Sequence, residues 1–206
     1  MVGPAYTFAM NFALEVDLPI RLRTEHPMTD EEIVRFCAAN EAVRVEQDTN
    51  GELIVMSPAG GGTSSKNGQI TYQLMRWVEE TSSGVAFDSS GGFRLPDGSL
   101  RNPDGAWTTW ERWNALSEEQ QQKFLPMCPE FVIELRSPSD RLVPLQEKMR
   151  EWIANGAELA WLVDPSRKAV EIYRPGREAE VLEGGSAVEG EGPVAGFVLE
   201  LGKVWG

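Results

Sequence analysis

Histidine is almost missing from this chain: its 206 residues hold one, His26, followed by Pro27 and a helix-capping signal. A lone histidine cannot build a multi-histidine metal site. As the only partner for a Ser-His-Asp triad it stands where a loop or capping role is expected. Cysteine is nearly as scarce. Cys37 and Cys128 lie far apart without metal-ligand spacing and are expected as reduced thiols packed like small hydrophobes. Long apolar runs are also lacking. None approaches the ~20 residues of a membrane span, and the longest, such as residues 157–163, suit buried strands. No basic segment leads into an apolar core near the start, so no secretory signal is read and a cytoplasmic location is expected.

Positive charge is in deficit as well. Lys and Arg total 19 against 32 Asp and Glu, for a net charge of −13. That balance argues against a broad nucleic-acid footprint. Its distribution is uneven, however. Residues 29–48 carry six acids and two bases, and residues 178–200 carry six Glu and no base. From Glu134 to Arg150 four bases (Arg136, Arg141, Lys148, Arg150) stand against three acids. The acidity belongs to the ends, and the centre stays open to a polyanion. What is present otherwise is ordinary for one globular domain, with 41% hydrophobic and 25% charged residues.

Residues 1–27 show no sustained period and are expected as a loose arm. Thr29-Asp30-Glu31-Glu32 is a capping box that opens a short helix with Ile33, Phe36 and Cys37 inward. Residues 43–46 and 52–56 flank Thr49-Asn50-Gly51 as a hairpin. A mobile loop is expected over 57–63. Its glycines lack the Gly-Lys-Ser/Thr ending of a phosphate loop, so a flexible connection or substrate flap is favoured over nucleotide binding. Residues 66–82 carry Ile70, Leu74, Trp77 and Val78 at helical spacing. Short strands are expected at 85–88, 92–95 and 104–110. Trp107, Trp110 and Trp113 are expected to pack in core and rim rather than stack on bases.

Ser117 caps a further short helix. Residues 131–135 form a nearly continuous apolar run, which suits a strand buried on both faces. Ser137-Pro138-Ser139-Asp140 is read as the cap of a helix over 141–155, stopped by Gly156. A buried strand at 160–163 and a hairpin into 170–173 follow. Beyond Gly184 periodicity is low until a last strand at 197–201. Strand, helix, strand over 131–163 is a crossover with parallel pairing, and the flanking hairpins make the sheet mixed. The class is α/β, a central mixed sheet flanked by helices, with a helix-hairpin extension ahead of it. Residues 28–175 form the main domain, and 176–206 an acidic extension packing on it.

Chemistry concentrates in Arg101-Asn102-Pro103-Asp104, in Phe131 to Arg136, and at Lys148. Carboxylates at apolar positions are costly unless paired, and a metal ion is a common partner. On the helix after Glu134, Leu142, Leu145, Met149, Trp152 and Ile153 define one apolar face at ~100° per residue. Lys148 lies at its border, beside Trp152, from where its amine can reach back to Glu134. With Asp104 from a neighbouring strand, the site holds two carboxylates and an ammonium. Oxygen ligands of this kind suit Mg²⁺ or Mn²⁺ rather than Zn²⁺. Such an ion lowers the pKa of a bound water and polarises a phosphate. The same residues are also consistent with a buried Glu134–Lys148 or Glu134–Arg136 ion pair beside an ordinary Pro-Asp turn.

Pro103-Asp104 followed by Glu134-Leu135-Arg136 resembles the PD-(D/E)XK nuclease superfamily. More closely, the chain resembles the Uma-two family of restriction-endonuclease-like proteins. The residues that carry this are 51–58 (Gly-Glu-Leu-Ile-Val-Met-Ser-Pro), Arg101 to Asp104, Glu134 to Asp140, Lys148 with Trp152, Gly156, and Trp161 to Pro165. The resemblance covers residues 28–175. It implies a restriction-endonuclease-like fold in which Asp104, Glu134 and the Leu135 carbonyl bind the metal and Lys148 stands in for the motif lysine. Arg136 occupies the usual lysine position but stays protonated and cannot act as a general base. Where many members carry a histidine near the start of the second helix, Asn67 is the nearest polar counterpart. Glu46 matches a family acid and is expected either as a third acid of the site or as a solvated strand residue.

The function expected from these features is a Mg²⁺- or Mn²⁺-dependent DNA endonuclease. Asp104, Glu134, Lys148 and Glu46 form its catalytic group; Arg101 holds a phosphate, and Gln69 and Ser137 line the cleft. DNA is the expected partner, with a homodimer or higher homo-oligomer for two-strand cleavage. The competing expectation, favoured by the acidic balance, is a catalytically idle nuclease-like domain that serves protein interaction or oligomerisation. A hydrolase for smaller phosphate esters has no dedicated motif.

Overall fold

A computed structural model describes residues 19–205. The chain begins with a short edge strand, β1 (Ile20–Leu22), inside the segment expected as a loose arm; residues 1–18 lie outside the described region. Its pairing with a later strand is reinforced by Arg21 on Asp48, at 2.5 Å, and by Arg23 on Glu52. Helix α1 (Asp30–Ala39) has the expected capping box, with Thr29 and Glu32 bonded reciprocally, and turns Ile33 inward. The hairpin of β2 (Arg44–Gln47) and β3 (Leu53–Met56) follows, closed by Gly51 at φ +81°.

Helix α2 (Gly61–Thr81) starts earlier than its apolar period suggested, so only 57–60 remain a loop. Gly60 is its N-cap, and glycine is acceptable there. The low helix propensity of Gly61 and Gly62 is outweighed because the rest of the helix packs on the core.

β4 (Gly84–Phe87), β5 (Phe93–Arg94), β6 (Leu100–Arg101) and β7 (Gly105–Thr109) come next. Trp107 is buried in β7, while Trp110 opens the short α3 (Trp110–Asn114) and stays exposed. After α4 (Glu118–Gln121), capped by Ser117, the crossover runs through β8 (Phe131–Leu135), α5 (Leu142–Ala154) and β9 (Leu159–Asp164). Asp140 does not cap α5. Its carboxylate accepts from Ser137 N at 2.8 Å and closes a turn, so the helix begins after Arg141. Gly156 stops the chain beyond α5 at φ +114°.

β10 (Ala169–Tyr173) returns against β9. β11 (Glu180–Glu183), β12 (Ala187–Glu189), β13 (Val198–Glu200) and α6 (Gly202–Trp205) complete the described chain. The principal sheet is mixed, in the order β11-β10-β9-β8-β7-β4, with only β8 and β9 parallel. A second sheet, β1-β3-β2-β6-β5, carries the N-terminal hairpin, and β12 pairs with β13.

Two apolar layers cover the principal sheet. One face packs on α5 and Trp152; the other meets α2 and residues from the last segment: Val188, Val194, Phe197, Leu199, Leu201 and Val204. Phe197 stacks on Trp161 at 5.7 Å and meets Phe131 edge-on. The acidic segment therefore closes one layer of the core with its apolar minority. No helix among the described residues is long and apolar enough to cross a membrane.

Candidate active site

Antiparallel pairing sets the first acid. β7 and β8 are in register Gly105↔Ile133 and Ala106↔Val132, so Asp104, one residue before β7, reaches the end of β8. There its Oδ2 accepts the Leu135 amide at 2.8 Å, in the place of a ladder carbonyl. Its Oδ1 accepts Asn67 Nδ2 from α2 at 2.7 Å.

The crossover sets the second acid and its base. β8 is buried on both faces, and Glu134 is buried with it. Lys148, on α5, puts Nζ 2.8 Å from Glu134 Oε1, as the helical angle of Lys148 predicted. Trp152, one turn further along α5, donates Nε1 to the same oxygen at 2.9 Å. Both contacts fall on Oε1, which leaves Oε2 as the oxygen for the cavity.

Glu46 comes from the second sheet. Its Oε1 lies 2.7 Å from Lys148 Nζ and 3.1 Å from the Asn102 amide; its Oε2 lies 3.5 Å from Arg101. It is buried, so of the two expectations for this residue the geometry is that of an acid within the cluster.

A cavity of about 630 Å³ opens on this group, lined among others by Arg44, Glu46, Lys66, Asp104, Glu134, Leu135, Ser137 and Lys148. Of the three substrate-binding candidates only Ser137 lines it. Gln69 is partly exposed elsewhere on α2. Arg101 is 6% exposed, bonded to Glu151 at 2.8 Å and to the Gln47 carbonyl at 3.2 Å. Its guanidinium is committed to the interior, behind Glu46. Arg136 also lines the cavity but pairs with Asp164 at 2.7 Å.

Arg44 and Lys66 were passed over in the sequence. Arg44 Nη1 is 4.0 Å from Asp104 Oδ1. Its spacing of two from Glu46 on one strand, which puts both on one face, was the available signal.

The electrostatics separate the acids. Burial pushes Glu134 up, to about 7, aided by Asp104 and Glu46 and opposed by Lys148. Burial likewise raises Asp104, against the pull of the Leu135 amide, Lys148, Arg44 and Asn67. Burial would raise Glu46 too, but Lys148 and Arg101 outweigh it and hold this carboxyl below its usual range. Burial works to discharge Lys148, and Glu134 and Glu46 overcome it, keeping the amine charged well past neutrality. Lys148 is thus an ammonium, fit to orient a water or neutralise developing charge rather than to take a proton.

The donors here are all oxygen: two carboxylates, the Leu135 carbonyl and neighbouring amides, with neither His nor Cys on the cavity lining. Hard donors of this type fit Mg²⁺ or Mn²⁺. Among the described residues no three His, Cys, Asp or Glu side chains converge as a ready cage. A cation here would rest on Asp104, Glu134 and neutral oxygens.

Residues 30–202 match the model of the Uma2 family, described as "Putative restriction endonuclease". Among solved structures, a protein from Anabaena variabilis ATCC 29413, titled a "putative nuclease belonging to DUF820", is similar at a TM-score of 0.71 and 20% identity. The match covers 87% of this chain and 98% of that one. The likeness shows a shared restriction-endonuclease-like fold. No curated protein matches the sequence.

Proposed function

Since the chain belongs to the Uma2 family of restriction-endonuclease-type proteins, we propose that it is a metal-dependent DNA endonuclease that hydrolyses phosphodiester bonds with an activated water. The observation that carries this is the convergence of Asp104, just before β7, Glu134 of β8 and Lys148 of α5 on one cavity.

In this reading Asp104, Glu134 Oε2 and the Leu135 carbonyl hold Mg²⁺ or Mn²⁺. When bound, the ion supplies a water of lowered pKa and polarises the phosphate. Lys148, fixed between Glu134 and Glu46, orients that water and offsets charge as the phosphorane-like state forms. Glu46 acts through Lys148, which it keeps charged and aimed. Arg44 and Lys66 draw the phosphate backbone to the cavity, a role Arg101 cannot take from inside the fold. Basic side chains at the lining matter more here than the net charge, because exposed acids a Debye length away are screened. Both cysteines are free thiols, in keeping with a cytoplasmic DNA substrate. Two-strand cleavage would pair two copies.

The test is plasmid nicking with Mg²⁺ or Mn²⁺, comparing wild type with Asp104→Ala and Lys148→Ala. The wild type alone should nick. Equal activity in all three would mark a contaminant and sink the proposal. A folded wild type that takes up no Mn²⁺ near neutral pH would make it an idle nuclease-like domain instead.

A further inference from the structure

Four buried side-chain polar atoms among the described residues have no hydrogen-bond partner. Two are indole nitrogens, of Trp107 and Trp161, set in the apolar core. The other two are amide oxygens, Asn67 Oδ1 and Asn102 Oδ1, and both belong to residues beside the acid cluster. Buried acceptors are almost always paired, so two unpaired ones at one place call for an explanation. A ligand that meets them must offer positive charge or a donor proton, as a cation or its bound water does.

Asn102 lines the cavity, but Asn67 is the one of the two bonded to Asp104. It is 7% exposed, and it projects from α2 onto Asp104. Its Nδ2 donates to Asp104 Oδ1 at 2.7 Å, which fixes the orientation of that carboxylate. The same bond fixes the amide, since its donor end is the one that a carboxylate accepts from. The oxygen is thereby held beside Asp104 without a donor of its own.

We propose that Asn67 is a working part of the cation site: Nδ2 positions Asp104, and Oδ1 is a further oxygen for the ion or for a water that the ion holds. This rests on the metal-dependent reading above. It goes beyond it by adding a neutral hard donor from α2, so that the site prefers Mg²⁺ or Mn²⁺ over Zn²⁺ through residue choice as well as through the acids. Residues that orient a ligand are worth 10–100-fold in metal affinity when removed.

The experiment is calorimetric titration of the full metal-free chain with Mn²⁺ and, separately, Zn²⁺, with a thermal melt of each variant. Asn67→Leu keeps the branched outline, with a somewhat larger volume, and removes both polar ends; Mn²⁺ should bind about 10–100-fold more weakly. Asn67→His keeps an N–H for Asp104 and replaces the oxygen by an imidazole nitrogen, so the Zn²⁺-to-Mn²⁺ affinity ratio should rise about tenfold or more, as expected for a borderline donor. Unchanged Mn²⁺ affinity in a folded Asn67→Leu overturns the inference. Should that variant melt below the working temperature, an unchanged ratio in Asn67→His overturns it. Asp104→Ala is the control for the parent reading: if it binds Mn²⁺ like wild type, or if wild type binds none, the metal site itself falls and Asn67 with it.

Discussion

Lys148 on α5 stands 2.8 Å from Glu134 on β8, and the two are joined within the crossover that makes β8 and β9 parallel. The same ammonium is 2.7 Å from Glu46 of the second sheet. One lysine therefore ties the catalytic strand to the N-terminal hairpin, and the site cannot be separated from the packing of the two sheets.

Removing that lysine should destabilise the fold as well as silence the site. Lys148→Met leaves Glu134 buried without a cation and Glu46 with Arg101 alone, and uncompensated buried charge of this kind costs about 3–5 kcal/mol. Urea unfolding should show the loss near neutral pH. The double variant Glu46→Gln with Lys148→Met should recover part of it, since one stranded carboxylate is gone. Additive losses in the double variant would mean that Glu46 and Lys148 do not act as a pair.

Asp104 should behave in the opposite way. Its folded pKa is raised by burial, so the folded state holds the proton more tightly than the unfolded chain does. The ionised carboxyl therefore weakens the fold increasingly as pH rises above its unfolded value of about 4. Asp104→Asn removes that charge. Asn67 can turn its unpaired Oδ1 to the new amide, so both side chains stay bonded. The variant should melt at or a few degrees above wild type near pH 7, about 2–4 °C per kcal/mol for a chain of this size, while losing Mn²⁺ uptake and nicking. A large drop in melting temperature would show that the Leu135 amide needs the carboxylate itself.

How much of this was legible in the sequence depended on how local the cause was. The Thr29 capping box, the Asn50-Gly51 hairpin and the nearly all-apolar β8 are written in adjacent residues, and each formed where it was expected. The angle of Lys148 on α5 was enough to aim it at Glu134, because helical periodicity fixes direction. Long-range pairing was not legible. β1 pairs with β3, with Arg21 and Arg23 on Asp48 and Glu52, across a hairpin not yet folded when the segment is read alone. Arg101 looked free beside Asp104, yet its partner Glu151 lies 50 positions on, in a helix whose orientation only the assembled sheet sets.

The last segment makes the same point and yields a further prediction. Residues 184–196 read as glycine, glutamate and isolated apolar residues of low periodicity, ahead of a last strand at 197–201. Six apolar residues between 188 and 204 nevertheless join Phe131, Trp161 and α2 in one continuous layer. Phe197→Ala should cost about 3–5 kcal/mol, as for a fully buried aromatic, with the largest loss of near-ultraviolet circular dichroism among single changes in that segment. A loss under about 1 kcal/mol, the range of a surface substitution, would mean that Phe197 and its segment carry no part of the core.

Asp164 is one of the carboxyls that tie stability to acid pH. Burial alone would raise this carboxyl, but the Ser166 hydroxyl, Arg136 and the Arg167 amide outweigh it and hold it below the usual range. Ser166 Oγ is 2.6 Å from Oδ1, and Arg136 is 2.7 Å from Oδ2. With the folded pKa depressed, its contribution is fully present above the unfolded value of about 4 and is lost as pH falls through the folded one. Asp164→Asn should therefore lower the melting temperature near pH 7, where Arg136 loses its anion. The gap to wild type should narrow below about pH 4 and close once the native carboxyl is protonated. Melting curves across that range decide it: a gap that stays constant with pH would mean that the turn geometry of Asp164, rather than its charge, supports the end of β9.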